Sequence, residues 1–230
     1  MRYRQSLLPF LASLAIVLAP WPGDSSDAQA QSARCVSELG FGLDSAWPLT
    51  TDDGLQAALA EEGYVVSVTG PGTPDQGASA AVGNPCPLGD FVLSIDARLV
   101  DPGGTGYVVQ LRRQTNGDRL ALVVEPERRL ATFYRRTDDQ TTILWGWAPV
   151  EALHGGDDTD HLTFQALGPR IRLDVNGQQV FQVEAGGPTQ GSLWLGTVTW
   201  SHPARTVFSN LLAGNLAESS ALARAPTGTP

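Results

Sequence analysis

Between Phe91 and Leu212 the chain alternates apolar and polar positions in ten short runs. In the first run Phe91, Leu93, Ile95, Ala97 and Leu99 share one parity, and Ser94, Asp96 and Arg98 take the other. A strand with one buried face requires that alternation. The later runs span 107–111, 120–124, 129–135, 141–147, 161–167, 170–175, 178–183, 191–199 and 206–212. Turn chemistry separates them at Asp101-Pro102-Gly103-Gly104, Asn116-Gly117-Asp118 and Asn176-Gly177. The turn at Glu125-Pro126-Glu127-Arg128 pairs 120–124 with 129–135. Short strands recurring without any helical pattern between them predict an all-β chain, an antiparallel β-sandwich of jelly-roll type, and exclude βαβ units. A two-residue turn at Asn176-Gly177 sets Leu173 opposite Val180.

Upstream the pattern changes. Thr51 to Gly63 reads as one short helix near the N-terminus, capped by Thr51 or Asp52, striped by Leu55, Ala58 and Leu59, and stopped by Gly63. Residues 70–90, rich in Gly, Pro, Ala and Ser, read as a loop. Residues 1–30 read as a signal peptide: Arg2 and Arg4 precede an apolar run from Leu7 to Ala19, and Ala28-Gln29-Ala30 supplies a small-x-small cleavage site. That run is short of the ~20 residues a membrane span needs. The expected organisation is an export signal over 1–30, one sandwich domain over 31–213, and a disordered C-terminal tail over 214–230, where apolar periodicity ends. Cleavage near Ala30 places the mature chain in the periplasm or outside the cell, with no membrane span.

Charge narrows the partners. The formal net charge is −9, and the signal segment leaves it unchanged, since Arg2 and Arg4 balance Asp24 and Asp27. An acidic domain disfavours nucleic acid and anionic surfaces. All basic residues are Arg, which removes Schiff-base, P-loop and Ser-Lys chemistries. The two cysteines, Cys35 and Cys86, have neither redox nor zinc spacing. In an oxidising compartment they are expected to form a disulfide.

The order of features over residues 90–213 resembles the concanavalin A-like, laminin-G-like sandwiches. The residues that carry the resemblance are Asp90-Phe-Val-Leu-Ser-Ile-Asp-Ala-Arg98, Tyr107-Val-Val-Gln-Leu-Arg112, Arg119-Leu-Ala-Leu-Val-Val124, Leu173-Asp-Val-Asn-Gly-Gln-Gln-Val180, Gly191-Ser-Leu-Trp-Leu-Gly196 and Val207-Phe-Ser-Asn-Leu211. They are most similar to the bacterial exported branch with 3-keto-disaccharide hydrolase-type domains. That branch usually has Asp where Ser209 precedes Asn210. The motifs are structural and imply a fold; activity must be argued from a site.

Candidate chemistry is of two kinds. The segment His154-Gly-Gly-Asp157-Asp158-Thr-Asp160-His161 gathers carboxylates and imidazoles. Asp157, Asp158 and Asp160 are therefore candidate calcium ligands, with a solvated turn as the alternative. No other cofactor is implied. Glu125 and Glu127 flank Pro126 and read as a hairpin tip rather than a glycosidase pair. No nucleophile elbow is present. Among aromatic residues, Trp145 and Trp147 stand two apart with Gly146 between them, and Tyr107 and Trp200 can lie nearby. Such rings either stack on sugars or fill the core. Trp194, between Leu193 and Leu195, reads as core. The function expected is a non-catalytic exported module that binds carbohydrate or a cell-surface polymer, with a neutral or cationic glycan suggested by total charge. A glycoside-processing hydrolase of the keto-disaccharide type and a protein adhesion domain are the alternatives. Intact-mass analysis of the exported protein is expected to show the loss of two hydrogens and no thiol open to alkylation; two reactive thiols refute the pairing of Cys35 with Cys86.

Overall fold

The computed structural model describes residues 41, 47–52, 54–69, 78–101, 105–199 and 202–215. The described chain is a sandwich of two antiparallel sheets. One has eight strands in the lateral order β1 (Thr50–Asp52), β2 (Leu55–Ala60), β3 (Gly63–Val68), β14 (Ala204–Asn215), β5 (Phe91–Leu99), β10 (Asp160–Leu167), β11 (Arg170–Val175) and β12 (Gln178–Glu184). The other has six, ordered β4 (Ala78–Leu88), β13 (Gly191–Thr199), β6 (Thr105–Arg113), β7 (Arg119–Glu125), β8 (Leu130–Thr137) and β9 (Gln140–Pro149). The ten alternating runs correspond to β5 through β14. In β5 the alternation is complete: Leu93, Ile95, Ala97 and Leu99 are fully buried and the residues between them are partly exposed. From the other sheet Val109, Leu111, Leu120, Leu122 and Phe133 meet that face and close the core.

Four expectations are corrected. Thr51–Gly63 is not a helix but the start of a meander, β1 to β3, in which Ala60 pairs with Gly63 across a two-residue turn. The three-residue apolar stripe is too short to outweigh sheet pairing, because β3 docks on β14 from Tyr64 to Val68. Gly63 takes φ +135° there, and a Cβ on it would sit 2.3 Å from the Phe208 carbonyl oxygen. Second, 78–88 is not loop but the eleven-residue strand β4, which pairs with β13 along its length. Its small residues have a packing reason: the Trp194 indole lies across Gly83, where a Cβ would come within 2.2 Å. Pro85 and Pro87 are tolerated because β4 is the sheet's outermost strand. Third, Leu173 pairs with Phe181, not Val180, because the ladder slips between Leu173 and Asp174 and Val180 becomes the extra residue of a bulge. Fourth, β14 runs to Asn215, two residues into the expected tail. The export segment, Cys35, Trp200 and residues 216–230 lie outside the described residues. Cys86 is buried in β4, 3% exposed.

A second bulge shapes the six-stranded sheet. Arg112, at φ +52°, is the extra residue where β6 slips against β13. Its side chain turns inward and is wholly buried, yet its charge is matched. Nη1 donates to the Gly168 carbonyl at 2.7 Å, Nε and Nη2 donate to the Gly89 carbonyl at 3.2 and 2.9 Å, and Asp90 stands 3.4 Å away. Asp90 also accepts the Gly168 N–H at 2.8 Å.

Two phenols are buried among the aromatic and apolar side chains. The Tyr64 hydroxyl donates to the Pro48 carbonyl at 2.7 Å beneath Trp47, and the Tyr107 hydroxyl donates to Asp160 Oδ2 at 3.3 Å. Burial raises both phenol pKa values well above the ordinary range, and for Tyr107 the Asp160 carboxylate raises it further. The folded state therefore holds these protons when the unfolded chain has released them. Their contribution is complete below about pH 10 and is lost as pH rises beyond it. Urea titrations between about pH 9 and 11 are expected to show a fall in stability that Tyr64→Phe and Tyr107→Phe each make shallower; an unchanged slope in both variants refutes this.

Candidate functional site

The alternation that buries Val109, Leu120, Leu122 and Phe133 turns Val108, Gln110, Ala121, Val123 and Tyr134 to the outer face of the six-stranded sheet. The floor of this face is apolar: Val108, Ala121 and Val198 are buried there, with Ala81, Val123 and Tyr134 packed around them. The bulge at Arg112 decides what stands above the floor. By turning Arg112 inward it returns the next residue, Arg113, to the same face as Gln110. Arg113 and Gln110 then meet through an Nη1 to Oε1 hydrogen bond of 2.7 Å.

Around them lies a cleft of about 560 Å³ lined by Gln110, Arg113, Arg119, Arg136, Asp139 and Trp194. Trp194 is its fixed wall. One face of the indole rests on Gly83, the Arg113 guanidinium lies 3.9 Å above the ring centroid, and Nε1–H donates to Ser192 Oγ at 3.0 Å. Such cation–π stacking holds the guanidinium flat. Arg136 pairs with Asp139 at 2.7 Å, a carboxylate 91% exposed. Arg119 donates through Nη1 to the Gly117 carbonyl at 2.8 Å, while its Nε is buried without a hydrogen-bond partner among the described residues. Burial, followed by repulsion from Arg119 and Arg136, lowers the Arg113 pKa.

A second recess of about 490 Å³ opens toward β9 and is lined by Glu125, Arg128, Leu130 and Trp147. Arg128 pairs with Glu125 at 2.8 Å, and Trp147 is 49% exposed. Trp147 lies opposite Thr132, four residues of β8 from Arg136, an offset along the strands of about 13 Å at 3.3 Å per residue.

The expected site residues divide. Trp145 and Trp147 do not share a face, because β9 carries two extra residues against β8. Trp145 pairs with Phe133 and faces the core, its ring 5.3 Å from Phe181. Ala148 pairs with Ala131 on that same side, so Trp147 is pushed outward. Tyr107 is 0% exposed and cannot meet a ligand. The reading of Trp194 as core is also overturned. Its parity, opposite to Leu193 and Leu195, was the available signal; the apolar character of its neighbours concealed it.

The calcium expectation is corrected as well. Asp160 is buried and its carboxylate is already engaged by Tyr107 Oη, the His154 N–H at 3.0 Å and Asn176 Nδ2 at 3.0 Å. Asp157 and Asp158 sit on an exposed turn, and no group of three ligand-type side chains forms among the described residues. On the eight-stranded sheet's outer face, spacing gave no hint of a file from Ser94 Oγ to His161 Nε2 at 3.1 Å and from His161 Nδ1 to Asp96 Oδ1 at 2.6 Å. Asn210 Nδ2 donates to Asp96 Oδ2 at 2.7 Å. Those distances suit proton relay, but Ser94 lies mid-sheet, paired with Thr163 and Leu212.

No protein-family model matches the chain, and no curated protein is similar to it. Solved structures are. A carbohydrate-binding module from Bacillus subtilis (CBM66) superposes with TM-score 0.53 at 17% identity, covering 73% of this chain and all of that one. A B. subtilis protein of unknown function with a galectin-like fold gives 0.56 at 14%, over 77% and 94%. The β-glucanase of Bacillus licheniformis gives 0.54 at 10%, over 77% and 96%. The chain thus has the galectin-like, concanavalin A-like jelly-roll fold. At these identities the likeness is one of fold.

The two tryptophans of β9 separate in a melt. Trp145→Ala is expected to cost about 3 kcal/mol through its core contacts, and Trp147→Ala to remain within about 0.5 kcal/mol of the parent. Equal losses refute the assignment to opposite faces.

Proposed function

We propose that the outer face of the six-stranded sheet is a non-catalytic carbohydrate-binding surface of an exported protein. One observation carries this reading: an exposed ring, Trp147, and a pair of fixed donors at Arg113 and Arg119 stand on one sheet face, offset along the strands by ~13 Å. Sugars present apolar C–H faces and a rim of hydroxyls, and such a face supplies a partner for each. The presence of a carbohydrate-binding module among proteins of this fold agrees with the reading. Export, with Cys35 joined to Cys86, belongs to the same proposal.

The glycoside-processing alternative needs two carboxyls about 5–10 Å apart. The carboxylates that line the two recesses are Glu125 and Asp139. They stand at opposite ends of β8, whose eight residues span about 23 Å. Each is paired with an arginine. Asp160, in the segment His154–His161, is consumed inside the fold.

Calorimetric titration of the secreted protein against an oligosaccharide panel, with mass spectrometry of the recovered sugars, tests the proposal. Binding with sugars recovered intact is expected. Trp147→Ala and Arg119→Ala should each cost about 1–3 kcal/mol of binding with an unchanged melt. Cleavage of a bound sugar, or binding indifferent to both substitutions, overturns it.

A further inference from the structure

Three guanidiniums and a single carboxylate line the cleft between Gln110 and Trp194. In a chain of net charge −9 that is an inversion of local sign. Total charge, which pointed to neutral or cationic glycans, acts over distances that salt screens: the Debye length is about 8 Å at physiological ionic strength. At contact, only the cleft's own charges count. Asp139 offsets Arg136, but it projects into solvent, where a pair contributes little. Arg113 and Arg119 have no carboxylate within ion-pair distance among the described residues. The other acids at that end, Asp118 and Asp138, belong to hairpin tips outside the cleft lining, and Asp118 accepts the Asp138 N–H at 3.0 Å.

Two features show that the cleft is prepared for an anion. Arg113 is held flat against Trp194 and tied at Nη1 to Gln110, so its ordering cost is met before any ligand arrives. Arg119 lines the cleft with one N–H given to the Gly117 carbonyl and no carboxylate within ion-pair distance among the described residues, so its positive charge is unmatched there. Planar guanidiniums with parallel N–H bonds match a carboxylate, which is also planar and takes two at once.

Resting on the carbohydrate reading above, we propose that this cleft binds the carboxylate of an acidic sugar, a uronic acid unit, with Arg119 and Arg113 as its donors. The glycan extends from there over Val123 and Tyr134 toward Trp147. The acid unit sets specificity, and the neutral remainder contributes area.

The test uses the full secreted chain and oligomers of galacturonate, glucuronate and mannuronate, each beside its carboxyl-reduced counterpart, which differs only in carrying CH2OH in place of COO−. A heparin-type sulfated oligosaccharide completes the set. At least one uronate oligomer is expected to bind about tenfold or more tightly than its reduced form, a margin set by one charge-assisted hydrogen bond. Arg119→Gln should lower the affinity for the uronate oligomer far more than that for the reduced oligomer, collapsing the preference, with the melt unchanged. Equal binding of acid and reduced forms overturns the inference and spares the carbohydrate proposal. Tighter binding of the sulfated oligosaccharide than of every uronate overturns the carboxylate assignment. Failure of every sugar to bind overturns both. If Arg119→Gln lowers the melt, Arg119→Lys, which keeps the charge and loses the fork, should weaken the preference without abolishing it; full retention counts against the bidentate geometry.

Discussion

Arg112 is the constraint on which the arrangement depends. Its guanidinium is the one basic head group wholly enclosed in the described structure, and it joins the β6 bulge to the Gly89 and Gly168 turns. The Gly168 turn joins two strands of the opposite sheet and the Gly89 turn carries the chain from β4 across to that sheet's β5, so one side chain clamps both layers at the same end of the sandwich. Leaving a buried charge unmatched costs about 3–5 kcal/mol, so β6 cannot relax to a regular ladder without exposing or orphaning that charge. The bulge is thus locked, and with it the side to which Arg113 points. Gly191 confirms how tight the join is, since a Cβ there would come within 2.4 Å of the Arg112 carbonyl carbon.

From that lock the outer face follows. An even strand would have put Arg112 beside Gln110 and sent Arg113 toward the interior. Instead Arg113 meets Trp194, and Trp194 finds room only because β4 offers Gly83. A glycine in β4, an indole in β13 and an arginine displaced by one residue in β6 form a single packing unit across three strands. Its rigidity comes from backbone geometry rather than from the exposed ion pairs nearby, which contribute little.

Much of the fold was legible because alternation is a local signal: each of the ten runs between Phe91 and Leu212 could be read without knowing its neighbours. What was not legible depended on pairing. Leu55, Ala58 and Leu59 resemble a helix face until β14 is there to pair with β3. The run Ala78–Leu88 looks like loop until Trp194 explains why its residues must be small. The site suffered most from bulges, which reverse parity and leave little trace in sequence. Two extra residues in β9 separate Trp145 from Trp147, and one in β6 brings Arg113 outward. Trp194 is the instructive case, since strict parity would have placed it correctly.

The prolines of β4 reach beyond packing. Pro85 and Pro87 remove two N–H groups from the rim of the six-stranded sheet, and at the opposite rim β9 ends in Pro149 after two irregularities. A strand from another molecule would find interrupted donors on either side. The sheet is therefore finite: copies cannot fuse edge to edge into a continuous ribbon. Under the binding function proposed above, each molecule would meet a long polymer as a separate unit, and a strong grip would require several molecules side by side along it, or tethering to a second domain.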